Sequence, residues 1–158
     1  MPGMHSTRVS LLVRAPRSVV WRALVDAGAV ARWRVPDGMT AEVHEFDARE
    51  GGRFRISLTY TDPAAGSGKT DAHTDTYHGV FTTLRPEETL VEALEFESDD
   101  PAARGTLTQT TTLADAGGGT EVTIAHDGIP DAVSPADNEI GTRMALANLA
   151  TLVEGSYQ

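Results

Sequence analysis

His44, Glu92, His126 and Asn148 are the side chains whose types suit proton handling or the orientation of a polar head group. Three of them interrupt apolar alternations. Glu42 and His44 fall in phase with Phe46, Glu92 with Leu90, Leu94 and Phe96, Gln109 with Leu107 and Leu113, and His126 with Val122 and Ile124. Alternate residues of a strand share a face, so these polar groups read as pointing toward the apolar side. A buried polar group without a partner costs roughly 2–7 kcal/mol, and a bare charge more. Several together imply either mutual pairing, placement at strand ends, or a partly hydrated cavity that a ligand can enter. Histidine, with an unperturbed pKa of about 6.5, could shuttle protons there while Glu92 or Asn148 steadied developing charge. That would be cyclase-like or isomerase-like chemistry.

Two other clusters suggest different chemistry. Gly66-Ser67-Gly68-Lys69-Thr70 resembles a phosphate-binding loop, but Pro63 stands where that motif needs its first glycine, and a strand rather than a helix is expected next. A loop tip is the expectation instead. Asp71, His73, Asp75 and His78 offer oxygen and nitrogen ligands, yet their spacing matches no metal site and they read as hairpin surface. No metal and no cofactor is assigned. Neither a nucleophile elbow nor a Ser-His-Asp arrangement emerges from the spacing.

Composition narrows the field further. The 158 residues, 40% hydrophobic and 23% charged, suit a single soluble domain spanning 1–158. Net charge is 13 − 23 = −10, which repels phosphate backbones and anionic headgroups. Neither nucleic acid nor a membrane is therefore expected as partner. Cysteine is absent, which removes thiolate chemistry and disulfides and suits a reducing cytoplasm. Met1 to Thr7 lacks the apolar core of a secretory leader, and no stretch is long enough to span a bilayer.

The elements that would position these groups are mostly strands. Period-two alternation marks Thr7–Val13, Met39–Asp47, Arg53–Thr61, Thr76–Leu84, Thr89–Glu97, Thr106–Leu113 and Glu121–His126, with glycine and proline punctuation between them. Asp62 to Asp75 reads as an exposed loop. Connections this short demand antiparallel pairing. Ala15-Pro16 opens a helix carrying Val19, Val20, Ala23 and Leu24, and a second short piece from Ala29 to Trp33 ends before Val35-Pro36. Ser134 is placed to cap a long terminal helix that begins at Pro135 and runs to Val153 or Glu154. Its broad apolar face, Ile140, Met144, Leu146, Leu149, Leu152 and Val153, is expected to lie lengthwise on the sheet. Trp21 reads as a core anchor and Trp33 as a gate at the rim. The fold class is thus α+β: a curved antiparallel sheet of about six or seven strands, two short helices after the first strand, and a long C-terminal helix covering the sheet.

An ordered set of segments carries a resemblance. Ala15-Pro16 to Trp21, Trp33 with Val35-Pro36, Asp47-Ala48-Arg49-Glu50-Gly51-Gly52-Arg53-Phe54, Tyr77-His78-Gly79-Val80-Phe81 with Leu84-Arg85-Pro86, Gly119-Thr120-Glu121-Val122, and Gly141 through Leu149 to Glu154 resemble the activator of heat-shock protein 90 ATPase homologue (AHSA-type) family. The likeness runs from about Thr7 to Glu154. It implies the helix-grip (START-like, Bet v-type) fold of the SRPBCC superfamily, with a hydrophobic pocket between sheet and terminal helix. Fold alone does not assign activity.

Alternation and resemblance together lead to one expectation, a binding protein for a small, mostly apolar ligand. Phe46, Phe54, Ile56, Tyr60, Tyr77, Phe81, Phe96 and Met144 would form the apolar wall, with Trp33 at the rim. His44, Glu92, His126 and Asn148 would orient the ligand. The enzyme reading uses the same cavity. A third reading is a chaperone-interacting module docking its acidic surface on a basic client. The co-chaperones that name the family carry an additional N-terminal domain not found in these residues, which counts against that activity. Homodimerisation is left open.

Overall fold

The computed structural model describes residues 5–61 and 74–157, the last two without their side chains. The glycine-rich loop motif, Asp71 and His73 lie outside the described residues. Chain order is β1 (His5–Val13), α1 (Arg17–Leu24), α2 (Ala27–Trp33), β2 (Met39–Phe46), β3 (Arg53–Tyr60), β4 (Thr74–Arg85), β5 (Thr89–Phe96), a 3₁₀ turn (Pro101–Ala103), β6 (Leu107–Ala116), β7 (Gly119–Ile129) and α3 (Pro135–Tyr157). The sequence reading did not anticipate the 3₁₀ turn, which Asp100 caps by accepting from the Ala102 amide. Among the described residues, no helix is long and apolar enough to cross a membrane.

All seven strands join one sheet in the order β1-β7-β6-β5-β4-β3-β2, every pair antiparallel. Strands β2 to β7 follow one another as hairpins, while β1 pairs with β7 at the far edge. The α1–α2 segment carries the chain from one edge to the other. Local chemistry accounts for its breaks. Pro16 precedes α1, where a missing N–H costs nothing. Asp26 caps α2 by accepting from the Ala29 amide at 2.8 Å. Gly51 and Gly118 take positive φ, 84° and 85°, in the turns after β2 and β6.

Ser134 accepts from the Asp137 amide at 3.3 Å and starts α3 at Pro135, as the capping pattern implies. The helix runs three or four residues further than the reading placed it, to Tyr157. Leu146, Leu149 and Val153 are fully buried, whereas Ile140 is 52% exposed. The helix packs most closely on β1 and α2, with lesser contact to α1 and β7. It therefore approaches one side of the curved sheet, and a space opens toward β3, β4 and β5.

Parity holds along β5, β6 and β7 and fails along β2. A register shift between Val43 and Glu45 places both Val43 and Phe46 on the face that Ile56 and Phe54 share. This bulge inserts one residue and flips the alternation before it. Glu42 and His44 consequently turn to the other face, where His44 Nδ1 meets Glu42 at 3.0 Å and Nε2 meets the Ser57 hydroxyl at 2.8 Å. His44 is not in the interior.

Candidate functional site

A cavity of about 540 Å³ lies between the sheet and α3. Its deep wall is buried and mostly apolar: Trp33, Tyr77, Leu94, Leu107, Ile124 and Ala145. Its mouth is exposed at Asp37, Ser134, Asp137 and Ile140. Of the residues singled out in the sequence, Trp33, Tyr60, Tyr77, Phe96, His126 and Met144 line this space. Trp33 is no gate: it is 3% exposed and its indole N–H donates to the Ala23 carbonyl at 2.8 Å, which fixes it as wall.

The other candidates sit elsewhere. Phe46, Phe54 and Phe81 form a ring cluster, Phe46 edge-on to Phe81 at 5.3 Å between centroids and Phe54 tilted on Phe81 at 5.0 Å. With Ile56 they fill the sheet face beside the cavity as solid core. Tyr77 extends the series toward the cavity, 6.2 Å from Phe54 and 6.4 Å from Phe96. Asn148 donates to the Val35 carbonyl at 2.9 Å and ties the α2–β2 connection to α3. Its role there is to hold two elements together. Asp75 lines the cavity, while His78, three residues along β4, projects from the opposite face between Glu95 at 3.1 Å and Glu97 at 2.9 Å. A shared metal site for these two is geometrically ruled out by strand parity.

Arg34, which the sequence reading passed over, is the centre of the site. It leaves α2 in a non-helical conformation, φ −84° and ψ 56°, and that turn swings its side chain under the sheet. Its Nη1 donates to Glu92 at 2.6 Å, and the two side chains are 11% and 1% exposed. The guanidinium lies 5.6 Å from the Phe54 ring centroid and 5.4 Å from that of Tyr77. Aromatic faces attract a cation, so the charge is met on several sides. Burial opposes that charge, but Glu92 and Tyr77 outweigh it and hold the guanidinium protonated. Burial also pushes the Tyr77 phenol up, Arg34 opposing and Glu92 assisting, so it stays neutral.

From this pair a chain of hydrogen bonds crosses the sheet. Glu92 accepts from the Gln109 amide at 3.3 Å, and Gln109 Oε1 faces His126 Nε2 at 2.8 Å and Arg34 Nη2 at 3.4 Å. A carboxylate only accepts, so Gln109 turns its N–H toward Glu92 and its oxygen toward His126, and His126 donates through Nε2. The opposite ring nitrogen lies 3.5 Å from the Thr7 hydroxyl, which itself donates to Asn138 on α3. Burial, and then the Arg34 charge, push the His126 pKa down to about 4, Asp127 opposing. The ring is neutral near pH 7. Among the described residues no buried side-chain polar atom lacks a partner. The in-phase polar groups of β5, β6 and β7 thus satisfy one another while Gln109 and His126 also face the cavity.

The arrangement offers an apolar chamber, a compensated charge pair at one end and neutral hydrogen-bonding groups beside it. Comparison with known proteins places the chain in context. Residues 14–154 match the family model described as "Activator of Hsp90 ATPase homolog 1-like protein". The solved structure of protein CV1439 from Chromobacterium violaceum is similar over 94% of this chain and 96% of its own, with 32% identity and a TM-score of 0.83. An AHSA1-like protein from Aeromonas hydrophila shares the fold at 20% identity and a TM-score of 0.73, over 96% of this chain and 94% of its own. A protein from Rhodobacter sphaeroides does so at 19% and 0.77, over 95% and 92%. No curated protein matches the chain at a significant level. Gripping its terminal helix with a seven-stranded antiparallel sheet, and matched from residue 14 to residue 154, the chain belongs to the Activator of Hsp90 ATPase homolog 1-like family.

Proposed function

We propose that the protein binds a small, mostly hydrophobic molecule in the space between its sheet and α3. The observation that carries this reading is the cavity itself, about 540 Å³, with an apolar deep wall and the polar side chains Arg34, Asp75, Gln109, His126 and Thr142 among its lining. Ligand sites in proteins have this size and this mixture. Its walls are pinned in place, Trp33 by the Ala23 carbonyl and α3 by the Asn148 bond to Val35, so the chamber is pre-formed. A catalytic use of the same space draws less support. His44 lies on the far face of the sheet, and His126 contacts Gln109 rather than Glu92. A histidine whose pKa is about 4 is a weak base and, near neutrality, no acid.

The test uses N-phenyl-1-naphthylamine, an uncharged dye whose fluorescence rises in apolar surroundings. Saturable enhancement at one dye per chain is expected, lost in Ala145→Trp, whose indole would take up part of the cavity that Ala145 lines. Absence of saturable binding, or undiminished binding by a folded Ala145→Trp protein, would reject the reading.

A further inference from the structure

We infer that Glu92 makes this cavity selective for uncharged, oxygen-bearing apolar molecules, hydroxyl or keto compounds, over carboxylates of the same shape. The inference rests on the cavity reading above and concerns only which head group the cavity accepts. Arg34 is the one basic residue that lines the cavity among the described residues. A buried guanidinium standing alone would be a receptor for an anionic head, since its planar fork matches a carboxylate. Here that charge is compensated. Glu92 sits 2.6 Å from Nη1, 1% exposed, and Gln109 holds the second carboxylate oxygen at 3.3 Å. The pair is neutral as a unit, and an entering carboxylate would lose its water at a guanidinium whose charge Glu92 already compensates from behind the wall.

Among the described residues, no lysine and no second arginine lines the cavity to compensate that loss. His126 is neutral. Asp37 and Asp137 at the mouth add negative charge on the entry path. An uncharged oxygen meets no such penalty. The five N–H groups of a guanidinium are not exhausted by Glu92 and Gln109, so Arg34 retains donors for a hydroxyl or keto oxygen. The apolar body would then lie along Leu94, Leu107, Ile124 and Met144.

The experiment compares 1-decanol with decanoate, which share a chain and differ in head group, by NMR titration of the labelled wild-type protein at neutral pH. Decanol is expected to bind at least about tenfold tighter than decanoate, with shifts at the Arg34 and His126 side chains. In Glu92→Gln the order should reverse, because the unmasked guanidinium then recruits the carboxylate. Decanoate binding the wild type as tightly as decanol would overturn the inference alone, and so would tighter binding of decylammonium, which would assign the cavity to cations. Binding of none of the three would reject the cavity reading and this inference with it. If Glu92→Gln does not fold, the wild-type ratio of the two probes decides.

Discussion

Acid destabilises this fold first through His126. Its folded pKa is pushed from 6.5 down to about 4, by burial foremost and by Arg34 second. Between those values the unfolded chain takes a proton on this ring that the native state refuses. Stability must therefore fall as the pH falls through the window from 6.5 to about 4, and level off on either side. The fall from 6.5 to about 4, at about 1.4 kcal/mol per tenfold change in proton affinity, amounts to about 3 kcal/mol lost by pH 4. That is a large share of the roughly 5–15 kcal/mol by which a domain is stable. His126→Gln retains an amide N–H for Gln109 and cannot titrate, so it isolates this component from the carboxylates that protonate at lower pH. Urea unfolding followed by circular dichroism, stepped from neutral pH to about pH 4, should show the wild type losing about 3 kcal/mol more than the variant. Parallel curves would refute the reasoning, as would an imidazole titrating by NMR at or above 6.5.

Three further outcomes follow from contacts described above. Arg34→Met, which strands the buried Glu92 carboxylate, should cost about 3–5 kcal/mol in urea unfolding, and adding Glu92→Met should recover most of it; strictly additive losses would show that the pair is not coupled. Gly79→Ala would place a Cβ 2.3 Å from the Ala93 carbonyl oxygen and 2.6 Å from Phe54, on backbone that cannot yield cheaply. A loss of about 1–3 kcal/mol or more is expected, read as a lowered melting temperature. Glu97, whose pKa is lowered to about 2 chiefly by its hydrogen bond from Arg55, contributes stability above the ordinary carboxylate range that is lost as pH falls from 4.5 toward 2. Glu97→Gln should flatten the wild-type acid limb in that window, and an unchanged limb would contradict the pairing.

The sequence was most legible where strands run without interruption. Along β5, β6 and β7 the period-two rule put Glu92, Gln109 and His126 on the inner face, and they do meet there. It misled at His44 because the bulge at Val43–Glu45 adds a residue, and no pattern in Glu42-Val43-His44-Glu45 distinguishes a bulged from a regular strand. Arg34 escaped notice for a different reason. It follows the last helical residue, where neither helical nor strand periodicity assigns a face, and an arginine beside a loop proline is ordinarily solvent-facing. Its partner was nonetheless visible: an in-phase Glu92 among leucines calls for a cation, and the chain places few near an apolar run. Aromatic residues marked for the wall divided between wall and core because strand parity fixes the face and not the depth.

One strand of the sheet keeps a different calendar from the rest. The β2 to β7 hairpins can form one after another as the chain emerges from the ribosome, each by closing a far shorter loop than β1 and β7 require. β1, made first, must wait for β7: Ser10 meets Thr123 across 113 residues. Closing so long a loop is slow, because its entropy is spent before any contact rewards it. Until then the β7 edge stands unpaired, and both Thr7, the outer link of the polar chain, and the β1 bed for α3 are missing. The chamber is consequently completed by the last annealing step, and a nascent chain has no ligand site to offer before β7 and α3 have been synthesised.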